Sequence, residues 1–246
     1  MTSNGSSITT RFILLSREIK ATDAVAMYEF ETKKCIYWSG TTALSPHDVE
    51  YVPVGGGYLV VANSTSNAVL EVYDISKNNK GRASSVSHSG CHSVHWDGKQ
   101  KLLWAWGSGQ SGLKSYKFVI ENGKPILKKQ KEYTVTVSDF NVGMAHGGSP
   151  MLVDGKRYLI LAGKSGILRF DTEAHTWKLV KRAPDDSGLY SNPKGLSYNR
   201  ETEEIIFTKS RDTVYSLDDS VGDRKISNFE IYKARWWYHS NFSYPE

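Results

Sequence analysis

Pro46-His47-Asp48-Val49-Glu50-Tyr51-Val52-Pro53 is a β-like run led by a histidine, and the chain repeats its shape. Histidine holds the same place in Cys91-His92-Ser93-Val94-His95-Trp96-Asp97, in Ala145-His146-Gly147-Gly148-Ser149-Pro150 and in His239-Ser240-Asn241-Phe242-Ser243-Tyr244-Pro245. Asparagine leads a fifth run, Asn192-Pro193-Lys194-Gly195-Leu196-Ser197-Tyr198. The lead residues 47, 92, 146, 192 and 239 are spaced by 45, 54, 46 and 47. A period of that size with several short strands per unit marks the blades of a β-propeller. The expected fold is therefore all-β, a five-bladed β-propeller forming one domain over 1–246, with residues 1–10 flexible.

Working outward from the lead residues, each unit reads as a meander. Blade one takes Arg11 to Ser16, Ala24 to Phe30 and Lys34 to Ser39, three strands where four are expected. Blade two runs from His47 through Tyr58 to Asn63 and Ala68 to Ile75 to Ala83 to Ser89. Blade three runs from His92 through Leu102 to Trp106 and Leu113 to Ile120 to Pro125 to Val135. Asp97-Gly98, Asn122-Gly123 and Asp154-Gly155 fall between alternating runs, where such pairs turn hairpins. Blade four starts at His146 and continues through Tyr158 to Ala162, Gly166 to Phe170 and Thr176 to Lys181. Blade five starts at Asn192 and ends with Ile226 to Trp236. The last run, His239 to Tyr244, matches a first strand and is expected to complete blade one and close the ring. Trp104, Trp106, Tyr116 and Trp177 fall mid-strand, where large flat side chains pack one blade on the next.

Composition agrees with a packed β protein: 39% hydrophobic, 12% aromatic, 21 Gly and 7 Pro. The net charge of +5 is scattered, with no basic helix or nucleic-acid motif beside it. The expected partner is a small-molecule substrate, with an anion as one option, and the expectation includes no nucleic acid, no membrane and a monomeric protein. Cys35 and Cys91 read as free thiols, too few for a disulfide framework. No apolar run is long enough to cross a bilayer. A soluble protein follows, either cytoplasmic or secreted with its signal removed.

Gly90-Cys91-His92-Ser93-Val94-His95-Trp96-Asp97, Asn192-Pro193-Lys194-Gly195-Leu196-Ser197-Tyr198 and Tyr232-Lys233-Ala234-Arg235-Trp236 resemble the blade starts and C-terminal signature of a family of uncharacterised bacterial and fungal propeller domains. The resemblance covers blades two to five. In that family the fourth lead residue is usually histidine, where this chain has Asn192. The centre is also similar, by architecture alone, to oligogalacturonate lyase, a propeller enzyme whose metal is held by histidines from several blades.

First strands of propeller blades line the central channel, so the lead residues converge on its axis. Four neutral imidazoles from His47, His92, His146 and His239 suit a divalent transition metal such as Zn, Cu, Ni, Fe or Mn, with Asn192 supplying a carbonyl oxygen or leaving a side open. His88, His95 and His175 are off this register and receive no role. The second strands return to the same mouth with Arg17, Asn63 and Ser64, Ser108 and Gln110, Lys164, Lys209 and Arg211. Lys194 points as Asn192 does. Such cations suit a carboxylate, sulfate or phosphate, and Arg17, Asn63, Lys164 and Lys209 are the candidate substrate-binding set.

A metal with an open position polarises a carboxylate or activates a water. Tyr51, Tyr198, Tyr238 and Lys194 are the candidate acids and bases. The reading is a metal-dependent lyase, isomerase or cyclase, or hydrolase acting on a small anionic or carbohydrate-like substrate. The alternative is a non-catalytic, lectin-like binding or interaction propeller. Glycosidase chemistry would need paired central carboxylates, and Asp48 is the only acid beside a lead residue.

Overall fold

The computed structural model describes residues 12–17, 24–40, 45–64, 68–77, 81–183, 189–209, 212–218, 220–228, 231, 233–236 and 241–244. The chain is an all-β propeller whose described strands form five antiparallel sheets, one of three strands and four of four, each a meander in chain order. The first holds β1 (Phe12–Arg17), β2 (Ala24–Glu29) and β3 (Cys35–Gly40). The second holds β4 (Pro46–Val52), β5 (Tyr58–Asn63), β6 (Val69–Asp74) and β7 (Ser84–Ser87). The third holds β8 (Ser93–Asp97), β9 (Leu102–Trp106), β10 (Leu113–Glu121) and β11 (Lys124–Tyr133). The fourth holds β12 (Gly148–Val153), β13 (Lys156–Gly163), β14 (Gly166–Asp171) and β15 (Trp177–Arg182). The fifth holds β16 (Gly195–Tyr198), β17 (Ile205–Thr208), β18 (Thr213–Ser216) and the two-residue β19 (Arg224–Lys225).

Local chemistry sets the hairpins. Asn122-Gly123 and Asp154-Gly155 place both central residues at positive φ, 50 and 74° in the first pair and 48 and 74° in the second. That is the twist of a two-residue turn between right-twisted strands, and Asn or Asp before Gly tolerates it best. Asp97-Gly98 behaves differently. The Asp97 carboxylate accepts from the backbone N–H of Lys99 and of Gln100, each at 3.0 Å, and so opens a longer loop to β9.

The first strands β1, β4, β8, β12 and β16 pack in series, β1 on β4, β4 on β8, β8 on β12 and β12 on β16, which puts them around one axis. Between the sheets lie apolar layers. Trp96, Leu103, Tyr116 and Val60 belong to one, and Trp104, Trp106, Leu161 and Phe170 to the next. The tryptophans are packing residues as expected. Trp104 and Trp106 are fully enclosed, and the Trp106 indole N–H donates to the Ala162 carbonyl of the neighbouring sheet at 2.8 Å. Truncating such a side chain costs about 3–5 kcal/mol, so these layers set the spacing of the first strands.

The C-terminal segment departs from expectation. Among the described residues of 226–236 there is no strand, β19 ending at Lys225, and of the expected closing strand His239 to Tyr244 the described part, Asn241 to Tyr244, is a turn, while 239 and 240 lie outside the described residues. Hydrogen bonds account for the difference. Lys233 Nζ donates to the carbonyls of His47 and His92, Arg235 pairs with Asp48, and the Trp236 N–H donates to Ser197 Oγ. At the other end the Phe242 carbonyl accepts from Gly98 N and from Arg157. Backbone and side-chain groups from four sheets thus bind the described residues of this segment.

Candidate functional site

His47 stands where β4 bulges. Pro46 pairs with Asn63 and Asp48 with Ala62, leaving His47 as the extra residue. A bulge re-aims the side chain it carries, and such bulges gather at functional sites. The His47 Nδ1–H donates to the Ser45 carbonyl at 2.8 Å, with Ser64 Oγ 2.9 Å from the same nitrogen. His92 repeats the device just before β8, its Nδ1 2.6 Å from the Gly90 carbonyl. Gly90 sits at φ +54°, and a Cβ there would stand 2.0 Å from Ser108 Oγ, so glycine is required for the loop that aims His92.

His146 completes a row. The His47 and His92 rings are 4.2 Å apart between centroids and the His92 and His146 rings 4.6 Å, both edge to face. Burial pushes all three imidazoles below their ordinary pKa, His92 and His146 to about 3. The His47 ring adds to this for His92, Lys194 for His146, and Lys233 for all three. The neutral form is therefore favoured in all three rings. The Nδ1–H groups of His47 and His92 are committed to backbone carbonyls, which leaves Nε2 as the unprotonated nitrogen of each neutral ring, with Ser64 Oγ 3.4 Å from that of His47.

Two ammonium groups flank the row. Lys194 Nζ donates to His146 Nε2 at 2.8 Å. Burial lowers the Lys194 pKa, and Lys209 lowers it further. Lys233 Nζ sits 2.8 Å from both the His47 and the His92 carbonyl. Burial pushes it down to about 8 against the pull of Asp48. Two polar atoms at this mouth are enclosed without a hydrogen-bond partner, His146 Nδ1 and Asn192 Oδ1. Asn192 itself turns at φ 48° before β16. Among the described residues no group of three or more His, Cys, Asp or Glu side chains is arranged as a finished metal site.

The remaining sequence candidates scatter. Tyr51 lies four residues down β4, packed against the layer between the first two sheets, and Tyr198 is buried at the end of β16. Asn63 is fully enclosed with its amide donating to Glu71 Oε2 at 2.9 Å, away from the axis. Lys164 follows β13, its N–H on the Val142 carbonyl and its methylenes close to Gly143. Lys209 follows β17 and is felt at Lys194. Gln110 donates to the Phe140 carbonyl at 2.7 Å. Arg17 ends β1 with its side chain outside the described set, and Arg211, Tyr238 and His239 lie outside the described residues.

Sequence reasoning missed Lys233, Arg235 and the polar chain below the mouth. Ser93 Oγ lies 3.1 Å from Asp48 Oδ2 and 2.8 Å from His95 Nε2, and His95 Nδ1 lies 4.0 Å from Glu50 Oε2. Alternation along Asp48-Val49-Glu50 and Ser93-Val94-His95 was the available signal. At the other end of β8 lies the buried pair Asp97–Arg157, 2.7 Å apart, with the Arg157 guanidinium 4.2 Å from the Phe242 ring centroid.

No curated protein matches the chain. Residues 5–246 match the model of a family of unknown function. On that span, nearly its full length, the chain belongs to the family of unknown function DUF6528.

Proposed function

We propose that the three-stranded sheet is the fifth blade of the ring and that the histidine mouth is a small-molecule site. In this reading His47, His92 and His146 hold a divalent transition ion with Asn192 beside them, and Lys194 and Lys233 receive the anionic group of the substrate. The observation that carries the reading is the row of three neutral imidazoles at 4.2 and 4.6 Å. Imidazoles bound at about 2 Å to one tetrahedral ion have ring centres about 5 Å apart, so a small outward movement of each ring makes a ligand set. The ion would supply Lewis acidity toward a carboxylate or a bound water.

The ammonium groups limit what this site accepts. Lys194 holds His146 Nε2, so an ion there displaces it and turns its charge toward the substrate. Proton removal next to a carboxylate, as in lyase or isomerase chemistry, or hydrolysis on a carbohydrate-like acid, suits that arrangement. The 2.8 Å contact between Lys194 and His146 also favours a second reading, in which the mouth binds an anion without metal or catalysis, as a lectin-like module would.

Differential scanning fluorimetry tests the reading, with Zn, Mn or Ni added alone and then with galacturonate or its neutral counterpart galactose. The metal-site reading expects stabilisation by an ion and further stabilisation by the acid over the neutral sugar. Stabilisation by the acid in the presence of chelator, with no response to any ion, selects the second reading. No response to ions, acid or sugar removes both.

A further inference from the structure

Below the histidine mouth, four polar side chains of β4 and β8 are enclosed together: Asp48, Glu50, Ser93 and His95. Donor bookkeeping fixes where their protons lie. Asp48 Oδ1 accepts from Val49 N and Arg235, and Oδ2 accepts from Val94 N and Ser93 Oγ. Four donors on two oxygens, one of them a guanidinium, define a carboxylate. Burial alone would raise the Asp48 pKa, but Arg235, then Lys233 and His95, hold it below the usual range.

Ser93 has one hydroxyl proton, and Asp48 takes it. The 2.8 Å contact between Ser93 Oγ and His95 Nε2 must then be donated by the imidazole. The Gly148 backbone confines that edge of the ring, where a Cβ would stand 2.6 Å from Ser93 Oγ and 3.1 Å from His95 Nε2. The proton on Nε2 leaves Nδ1 as a bare lone pair. His95 Nδ1 is buried with no hydrogen-bond partner, and the atom facing it is Glu50 Oε2 at 4.0 Å. A carboxylate opposite a lone pair is repulsive, whereas a carboxylic acid there makes a hydrogen bond once the two atoms close by about 1 Å.

We propose that Glu50 is held as a neutral carboxylic acid that donates its proton to Nδ1 of His95, making Glu50, His95, Ser93 and Asp48 one hydrogen-bonded chain across the junction of β4 and β8. Tyr244 OH and Tyr51 N donate to Oε1, the opposite oxygen, and the Trp96 backbone N–H also donates to the carboxyl. Against burial, the Tyr244 and Trp96 hydrogen bonds and Arg235 favour the charged form, and Asp48 opposes it. Burial dominates and pushes the Glu50 carboxyl up to about 7, while His95 is pushed down to about 3 and stays neutral. The chain is thus complete below neutral pH and loses its first proton above it. The carboxylate then faces an unprotonated nitrogen three residues along the chain from His47 on one side and from His92 on the other. This is a pH-sensitive joint under the mouth, independent of what the mouth binds.

Infrared difference spectra of the full chain test this. At pH 5.5 the wild type should show the C=O stretch of a buried protonated carboxyl that fades between pH 6 and 8, and Glu50→Gln should lack it. Glutamine keeps a donor for Nδ1, so the stability of Glu50→Gln relative to wild type should rise from pH 5 to 8. Should that variant misfold, nitrogen-15 spectra of the wild-type histidines carry the test, with His95 expected as the Nε2–H form and Nδ1 hydrogen-bonded. A missing acid band at pH 5.5, a stability difference that does not change with pH, or a proton on Nδ1 overturns the proposal.

Discussion

Lys194 Nζ lies 2.8 Å from Nε2 of His146, a lysine two residues past one lead position holding the imidazole at the previous one. The contact ties the start of the fifth sheet to the start of the fourth. It also sets the charge at the mouth, because Lys194 follows burial as the largest cause of the lowered His146 pKa.

Lys194→Met should therefore raise the His146 pKa by on the order of one unit, read from its ring resonances in a pH titration. The same variant should lose most of the thermal protection that small carboxylates give the wild type. A His146 titration unmoved by the substitution would show that the two side chains are apart in solution.

Acid should unfold the protein through its buried histidines. The pKa values of His88, His92, His95 and His146 are depressed in the fold to about 4, 3, 3 and 3. Depressed values mean that the unfolded chain takes up protons first, so this stability is complete above about pH 6.5 and drains away as pH falls toward 3. Each ring contributes on the order of a few kcal/mol across that window. Urea midpoints from pH 7 to 4 measure it, and His88→Gln should flatten part of the fall. His88 is chosen because it only braces the core, between Tyr116 OH and the Gly112 carbonyl at 2.9 Å each.

Removing the C-terminal anchor should be costly. Phe242 is almost fully buried against Arg157, and Phe242→Ala should lose about 3–5 kcal/mol in equilibrium unfolding. Arg157→Met leaves Asp97 buried and unpaired at the same junction and should lose a similar amount, about 3–5 kcal/mol. Their double variant should lose less than the sum, since the two side chains share one contact.

Much of this was legible in the chain. The spacing of His47, His92 and His146 placed three imidazoles on one axis, because a repeat position maps to one depth in every blade. Lys194 was found by alternation from Asn192. Lys233 and Arg235 were not, although the phrase Tyr232 to Trp236 stood out, because the described residues 233–236 belong to no strand and are positioned by hydrogen bonds to His47, Asp48, His92 and Ser197. Asn63 was misplaced at the mouth for a related reason. Its position at the end of β5 is right, but alternation turns the side chain toward Glu71 and away from the axis. His95 looked off register because it is off the mouth, one layer deeper.

Metal analysis of protein purified without an affinity tag and dialysed against Zn, Mn, Ni, Cu and Fe in turn tests the central claim most directly. The account predicts about one tightly held ion per chain, lost in His92→Ala and retained in His88→Gln. No ion retained from any of these solutions, or equal retention by both variants, would contradict it.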